Sequence, residues 1–182
     1  MSDDEMIALV AEGNITAFEQ LYRCTYKNVY AFILSMVKCR QTAEDLLHDT
    51  YMRIFEKAST YQIGTSLRTW IMTVAKNITY DYLRKVKPIV PYDEENQTEN
   101  TSSCLPGTYE NVIEHIELEK ALEKLSELDS QIAILYAVCG YRHREIAQIL
   151  SIPEGTVRRR YRGAIKQLAD AMGGEVDGGS TL

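Results

Sequence analysis

Apolar side chains recur at i, i+3, i+4 and i+7 through most of the chain, and no stretch sustains the strict alternation of a half-buried strand. Residues 3–12 (DDEMIALVAE) read as a short amphipathic helix stopped by Gly13-Asn14. Thr16-Ala17-Phe18-Glu19 has the Thr-x-x-Glu form of a capping box, and Phe18, Leu21, Tyr22, Val29, Tyr30, Ile33, Leu34 and Val37 carry one stripe to about Lys38. A third helix starts at Thr42-Ala43-Glu44-Asp45. Ala43, Leu46, Leu47, Thr50, Tyr51, Ile54 and Phe55 form its inner side, and Glu44, Asp45, His48, Asp49 and Met52 its outer side. Beyond the polar, Gly-containing connection over 61–66, a fourth helix is marked by Leu67, Trp70, Ile71, Val74, Ile78 and Tyr82 and ends near Arg84-Lys85. Arg68, Thr73, Lys76, Asn77, Arg84 and Lys85 are expected to point outward from it.

From Val86 to about Glu110 the periodicity lapses into VKPIVPYDEENQTENTSSCLPGTYE, which holds three of the chain's four prolines and reads as a linker. Helical spacing resumes over Val112–Leu125 and Asp129–Cys139, and then in the pair YRHREIAQILSIPEGTVRRRYRGAIKQL from Tyr141 to Leu168. The pattern predicts an all-α chain: two small helical domains, residues 1–86 and 112–172, joined by a flexible acidic linker over 87–111, with a disordered tail at 173–182.

The final pair has the form of a helix-turn-helix. Ile146, Ala147, Ile149 and Leu150 are the apolar members of its first helix, and small Ala147 sits where a second helix must cross closely. Ser151-Ile152-Pro153 breaks the period: proline cannot continue one helix but suits the first position of the next, and Ile152 plugs the gap. Val157, Tyr161, Ala164, Ile165 and Leu168 then form an inner stripe, leaving Arg158, Arg159, Arg162 and Lys166 opposite. The segment carries seven Lys/Arg against two acids, Glu145 and Glu154, so its balance is +5 in a chain of net charge −6. Such a face, opened by Glu154, Gly155 and Thr156, suits entry of the second helix into a DNA major groove. A solvated amphipathic helix is the plainer alternative.

The rest of the charge modifies that picture. Residues 1–85 balance at ten basic and ten acidic groups, residues 86–110 hold one and five, and residues 111–182 nine and eleven, which places the excess acid in the middle and the tail. Because cationic contacts to phosphate supply most non-specific DNA affinity, this chain is expected to bind DNA poorly alone and to need a partner. Tyr61, Trp70 and Tyr80 beside the basic groups of the fourth helix suit an unstacked nucleic-acid strand. Core aromatics with solvated charge explain the same pattern.

Apolar runs fall well short of the roughly 18 residues that read as a membrane span, and the acidic start MSDDEM is unlike a signal peptide, so a cytoplasmic protein is expected. Cys24, Cys39, Cys104 and Cys139 lack metal-ligand spacing and read as reduced thiols. No nucleophile–base pair, phosphate-cradling glycine loop or metal cluster is visible, so no enzymatic activity, cofactor or metal is expected.

ALVAEGNITAFEQLY, TAEDLLHDTYMRIF and SLRTWIMTVAKNITYDYLRK, with Ala43-Glu44-Asp45-Leu46, Trp70, Ala75, Asn77, Asp81 and Arg84, resemble domain two of the extracytoplasmic-function sigma factors of bacterial RNA polymerase. REIAQILSIPEGTVRRR resembles domain four of the same family, and the match covers nearly the whole chain. The family usually has Gln where this chain has His48, Ser at Arg159 and Arg at Gly163.

The resemblance implies that residues 1–86 dock on the clamp helices of the polymerase's largest subunit through Asp45, His48 and Asp49, which share a helix face. The same domain would hold the melted minus-10 element with Tyr61, Gln62, Thr65, Arg68, Trp70, Thr73, Lys76, Asn77, Arg84 and Lys85. Domain four would bind the polymerase flap and read the minus-35 duplex with Arg142, Thr156, Arg158, Arg159 and Arg162, and Lys166 would meet phosphate. The linker would thread toward the RNA path. The implied partners are core RNA polymerase, promoter DNA and a controlling anti-sigma factor, with no small-molecule substrate and no direct membrane insertion. The alternatives are a two-domain helix-turn-helix regulator acting without core polymerase, and a decoy that holds polymerase without initiating. The TAEDLLHD helix and the Trp70-to-Arg84 helix weigh against the regulator, which needs neither.

Overall fold

A computed structural model describes residues 2–86 and 125–171. The chain divides into two compact units, Met1–Thr108 and Tyr109–Leu182. The expected linker over 87–111, the expected helix Val112–Leu125 apart from Leu125, and the tail at 173–182 lie outside the described residues. No strand occurs among the described residues, in keeping with the all-α expectation.

In the first unit α1 (Asp3–Ala11) begins with a reciprocal cap: the Ser2 N–H donates to Glu5 Oε2 at 2.7 Å, and the Glu5 N–H donates to Ser2 Oγ at 3.2 Å. Gly13, at φ 85°, turns the chain, and Asn14 caps α2 (Ile15–Val37) by accepting the Ala17 N–H at 3.0 Å. The Thr16 capping box is therefore not formed, because Asn14 is the stronger cap two residues earlier. Lys38 closes α2 in the left-handed region, and α3 (Arg40–Lys57) starts two residues before the expected Thr42, with no side-chain cap. A 3₁₀ turn over Ala58–Thr60 leads to the connection before α4 (Leu67–Val86).

α2 packs against α1, α3 and α4, and α3 against α4. Phe32, Ile33, Ile54, Ile71 and Met72 lie at their meeting point, all buried. Thr50 and Thr79, both fully buried, leave no hydroxyl unpaired: they donate to the Leu46 and Ala75 carbonyls of their own helices at 2.7 and 2.8 Å. Tyr51 is buried with its hydroxyl 2.6 Å from Thr25 Oγ1.

α4 is rotated relative to the expected stripe. Thr69, Met72, Ala75, Lys76 and Thr79 are buried beside Leu67 and Ile71, while Trp70, Val74, Ile78 and Tyr82 are half-buried. The reason is that α4 packs on α2 and α3 together, and small or self-bonded side chains allow that closer approach.

In the second unit Ser126 caps α5 (Glu127–Ala133), accepting the Asp129 N–H at 3.2 Å. The expected uniform helix to Cys139 instead widens into a π turn over Ile134–Val138, where the Cys139 N–H donates to the Ile134 carbonyl at 3.0 Å. α6 (His143–Leu150) ends on Ser151 at φ 58°, and α7 (Glu154–Ala171) follows. Pro153 stands just ahead of α7, its carbonyl accepting the Thr156 and Val157 N–H groups, and half-buried Ile152 fills the turn as expected.

Cys24, exposed, and Cys139, buried, are in no disulfide. Cys39 is disulfide-bonded, which corrects the expectation of reduced thiols throughout.

Candidate nucleic-acid interface

On α7 the inner stripe is narrower than the sequence suggests. Val157 and Ala164 are buried and Tyr161 and Leu168 half-buried, but Ile165 is 38% exposed. At about 100° of turn per residue Ile165 lies roughly 80° from the stripe's centre, beyond the contact with α5 and α6. Arg158, Arg159, Arg162 and Lys166 are all exposed on the far side, as expected.

Their electrostatic states differ. Arg158 donates to Glu154 Oε1 at 2.6 Å and is partly neutralised within its own helix. Arg159, Arg162 and Lys166 have no ion-pair partner among the described residues. Arg160 turns the other way and bonds Asp129 Oδ1 on α5 at 3.1 Å. This pair was not anticipated, although the position of Arg160 beside the inner stripe is its sequence signal. Arg142 stands exposed just before α6, its N–H donating to Glu145 Oε2 at 2.8 Å, and Thr156 is half-buried at the start of α7.

Behind the basic helix lies an aromatic group. Tyr136, on the π turn, stacks on His143 (centroids 4.7 Å apart, planes 16°) and meets Tyr161 at 4.4 Å. Burial raises the Tyr161 hydroxyl above its ordinary range, with Tyr136 adding to the shift.

In the first unit the connection 61–66 is a tight turn. The Thr65 N–H donates to the Gln62 carbonyl at 3.2 Å and Thr65 Oγ1 donates to the same oxygen at 2.7 Å, with Gly64 at φ 87° in the position that takes glycine. Tyr61 is only 8% exposed, which corrects its reading as an open stacking platform. Its hydroxyl bonds the Thr65 carbonyl and lies 3.2 Å from Asp4 Oδ1 on α1, and its ring meets Trp70 edge-on at 5.6 Å. Burial raises its pKa, with Asp4 and Asp3 adding to the effect against the bond to Thr65. Gln62 and Thr65 are exposed on the turn.

The expected residues of α4 do not share one face. Trp70, Thr73, Asn77 and Arg84 follow one another at helical spacing, the first two half-buried and the last two exposed, and Arg84 pairs with Asp81. Arg68 is exposed on the first turn, about half a helical turn away in azimuth from Asn77. Lys85 instead lines a groove of about 420 Å³ between α3 and α4, together with Asp49, Met52, Arg53, Asp81 and Tyr82. Lys76 does not point outward at all: it is 9% exposed, and burial lowers its pKa. Lys76 lies toward the edge of the buried arc of α4, roughly 80° from its centre, and the long aliphatic stem of lysine tolerates that place.

Asp45, His48 and Asp49 are exposed together on α3, opposite buried Ala43, Leu47, Tyr51 and Ile54. Neither carboxylate has an ion-pair partner among the described residues, whereas neighbouring Glu44 is held by Arg40 at 2.9 Å. No group of three or more His, Cys, Asp or Glu side chains suited to a metal occurs among the described residues, and no described helix is long and apolar enough to cross a membrane.

Residues 21–88 match the Sigma-70 region 2 family model, and residues 115–168 match Sigma-70, region 4. The chain is 27% identical over 161 residues to the ECF RNA polymerase sigma factor SigX of Bacillus subtilis, covering 85% of this chain and 83% of the relative. It is 28% identical over 162 residues to the RNA polymerase sigma factor CarQ of Myxococcus xanthus, covering 89% and 92%. In fold it is similar to the sigma factor RpoE of Bartonella quintana, solved in complex with the anti-sigma factor NepR: the TM-score is 0.66 at 24% identity, over 88% of this chain and 98% of that one. It is also similar to CnrH, solved with the cytosolic domain of CnrY, with a TM-score of 0.72 at 19% identity over 94% and 97%.

Proposed function

The chain belongs to the extracytoplasmic-function branch of the sigma-70 family, and on that footing we propose that it binds core RNA polymerase and directs promoter-specific initiation of transcription. The observation that carries the reading is order. A region 2 match falls within one compact unit, a region 4 match falls within the other, and the second includes a helix with an exposed cationic face on which Arg159, Arg162 and Lys166 have no ion-pair partner among the described residues.

In this reading residues 1–86 are the polymerase-docking and minus-10 domain, 87–111 the linker, 112–172 the minus-35 domain and 173–182 a tail. Asp45, His48 and Asp49 form the docking face, supported by their shared exposure and the unpaired state of the two carboxylates. The turn Gln62–Thr65 and the α4 face of Trp70, Thr73, Asn77 and Arg84 hold the opened minus-10 strand, and Tyr61 builds the turn against Trp70. Extruding a base loses stacking and pairing, and exposed Asn77 offers both a donor and an acceptor to the freed base edge. Arg68 and Lys85, off that face, are assigned to phosphate. Arg159 and Arg162 are the base-reading candidates on α7; Arg142, Arg158, Thr156 and Lys166 position the duplex.

The protein works in the cytoplasm beside its polymerase and has no catalytic activity of its own. An anti-sigma factor controls it, a proposal supported by the fold-alike RpoE, which was solved with the anti-sigma factor NepR. Run-off transcription with purified core polymerase tests the whole reading, the expected result being a discrete transcript from a cognate promoter. DNA binding of equal specificity without polymerase would favour the regulator. Polymerase binding with no promoter-specific transcript would favour the decoy.

A further inference from the structure

The turn between the 3₁₀ segment and α4 is held from outside itself. Asp4, in the first turn of α1, accepts the Gly64 N–H at 3.3 and 3.4 Å through its two oxygens, and its Oδ1 lies 3.2 Å from the Tyr61 hydroxyl. Tyr61 and Thr65 close the turn from within, through the Tyr61 hydroxyl to the Thr65 carbonyl and the Thr65 side chain to the Gln62 carbonyl. An exposed loop tip is ordinarily among the least constrained parts of a protein, so this number of bonds on four residues fixes where the tip stands.

At that tip is Ile63, at 75% the most exposed large apolar side chain among the described residues. With that exposure, the described core draws little from its side chain. The turn needs a glycine at 64 and an acceptor at 62, but it sets no requirement for a β-branched apolar residue at 63. Gln62 and Thr65 flank it with polar groups able to meet base edges.

We infer that Ile63 is an apolar wedge that inserts at the edge of the opening base stack, and that Asp4 is the positioning residue that presents it. Apolar side chains on constrained elements unstack base steps in this way when set against a duplex. The inference rests on the assignment of this turn to the minus-10 element. It adds a step that assignment does not contain, in which the turn helps to open the strands as well as hold them once open.

The test follows opening of duplex promoter by the full chain with core polymerase, using permanganate reactivity of unpaired thymines, on duplex and pre-melted templates. Ile63→Ser is expected to slow duplex opening by about tenfold, with most of the deficit gone on the pre-melted template, and Ile63→Leu to recover most of the rate. Asp4→Ala should slow opening by about threefold, and Asp4→Asn, which keeps an acceptor for Gly64, should recover most of that loss. The double variant Asp4→Ala/Ile63→Ser should be no slower than Ile63→Ser alone, because Asp4 acts through Ile63. Opening by Ile63→Ser at the parental rate, or an equal deficit on both templates, overturns the wedge. A multiplicative loss in the double variant overturns the positioning role of Asp4. If the parent protein itself opens no promoter, the sigma-factor reading fails and the inference falls with it, an outcome distinct from failure of the variants alone.

Discussion

Removing the charge of Asp129 while keeping its shape should loosen α7 from its support on α5. The Asp129 and Arg160 side chains are 16% and 36% exposed and 3.1 Å apart, so the pair is neither fully solvated nor sealed. At an effective dielectric of about 20 two charges at this separation attract by roughly 5 kcal/mol before desolvation and side-chain ordering are counted. Exposed pairs retain about 0–1 kcal/mol of such energy, whereas breaking a sealed pair costs about 3–5. Asp129→Asn keeps an oxygen for the guanidinium, and its amide nitrogen can donate to Ser126 Oγ in place of the bond that the Ser126 hydroxyl donates to Asp129 Oδ2 at 2.6 Å, so the charge is the main term lost. The expected destabilisation is about 1 kcal/mol. For a unit of this size that lowers its unfolding midpoint by about 4–8 °C. Thermal unfolding of the full chain should be run for Asp129→Asn, Arg160→Gln and the double variant. A coupling energy near 1 kcal/mol that falls with added salt is expected. If coupling is absent at low salt, Arg160 is held by packing of its stem and the electrostatic account of the tether is wrong.

Further outcomes follow from the other surfaces. Reversal of Asp45 and Asp49 to Lys should abolish binding to core polymerase with helical circular dichroism intact; undiminished binding would move the docking face elsewhere. Arg159→Ser should change the consensus returned by a randomised-promoter selection, by about 1–3 kcal/mol at one base position, while Arg158→Ala, already paired with Glu154, should weaken binding with little change in preference. Lys76 supplies a pH effect. Burial lowers its folded pKa below the ordinary lysine value of 10.5, so between the two values the unfolded chain holds more protons than the fold. Its contribution to stability therefore rises with pH across that window, and Lys76→Met should flatten the rise in denaturant titrations between neutral and alkaline pH. An unchanged pH dependence would show that the Lys76 ammonium reaches water.

The sequence alone determined that this is an all-α chain, where most helices run, and that one helix near the C-terminus carries a cationic face. These follow from local rules: the 3.6-residue period, the left-handed or proline-marked stops, and the separation of Arg158, Arg159, Arg162 and Lys166 from Val157 and Ala164. The outer acidic face of α3 was legible for the same reason. Tertiary structure alone decided which side of α4 is inner, because two neighbouring helices compete for it, and Met72 and Ala75 extend the apolar stripe toward a side on which Thr69, Lys76 and Thr79 are also buried. That competition buried Lys76, whereas the separation of Lys85 and Arg68 from Asn77 around the helix follows from its 100° step alone. It also took a long-range contact to remove Tyr61 from the surface, since the partners of its hydroxyl and of the Gly64 N–H include Asp4, 57 and 60 residues earlier in the chain. Likewise the pairing of Arg160 with Asp129, 31 residues apart, depends on how α5 crosses α7. Periodicity reports what one helix presents, and these features depend on what a second element brings to meet it.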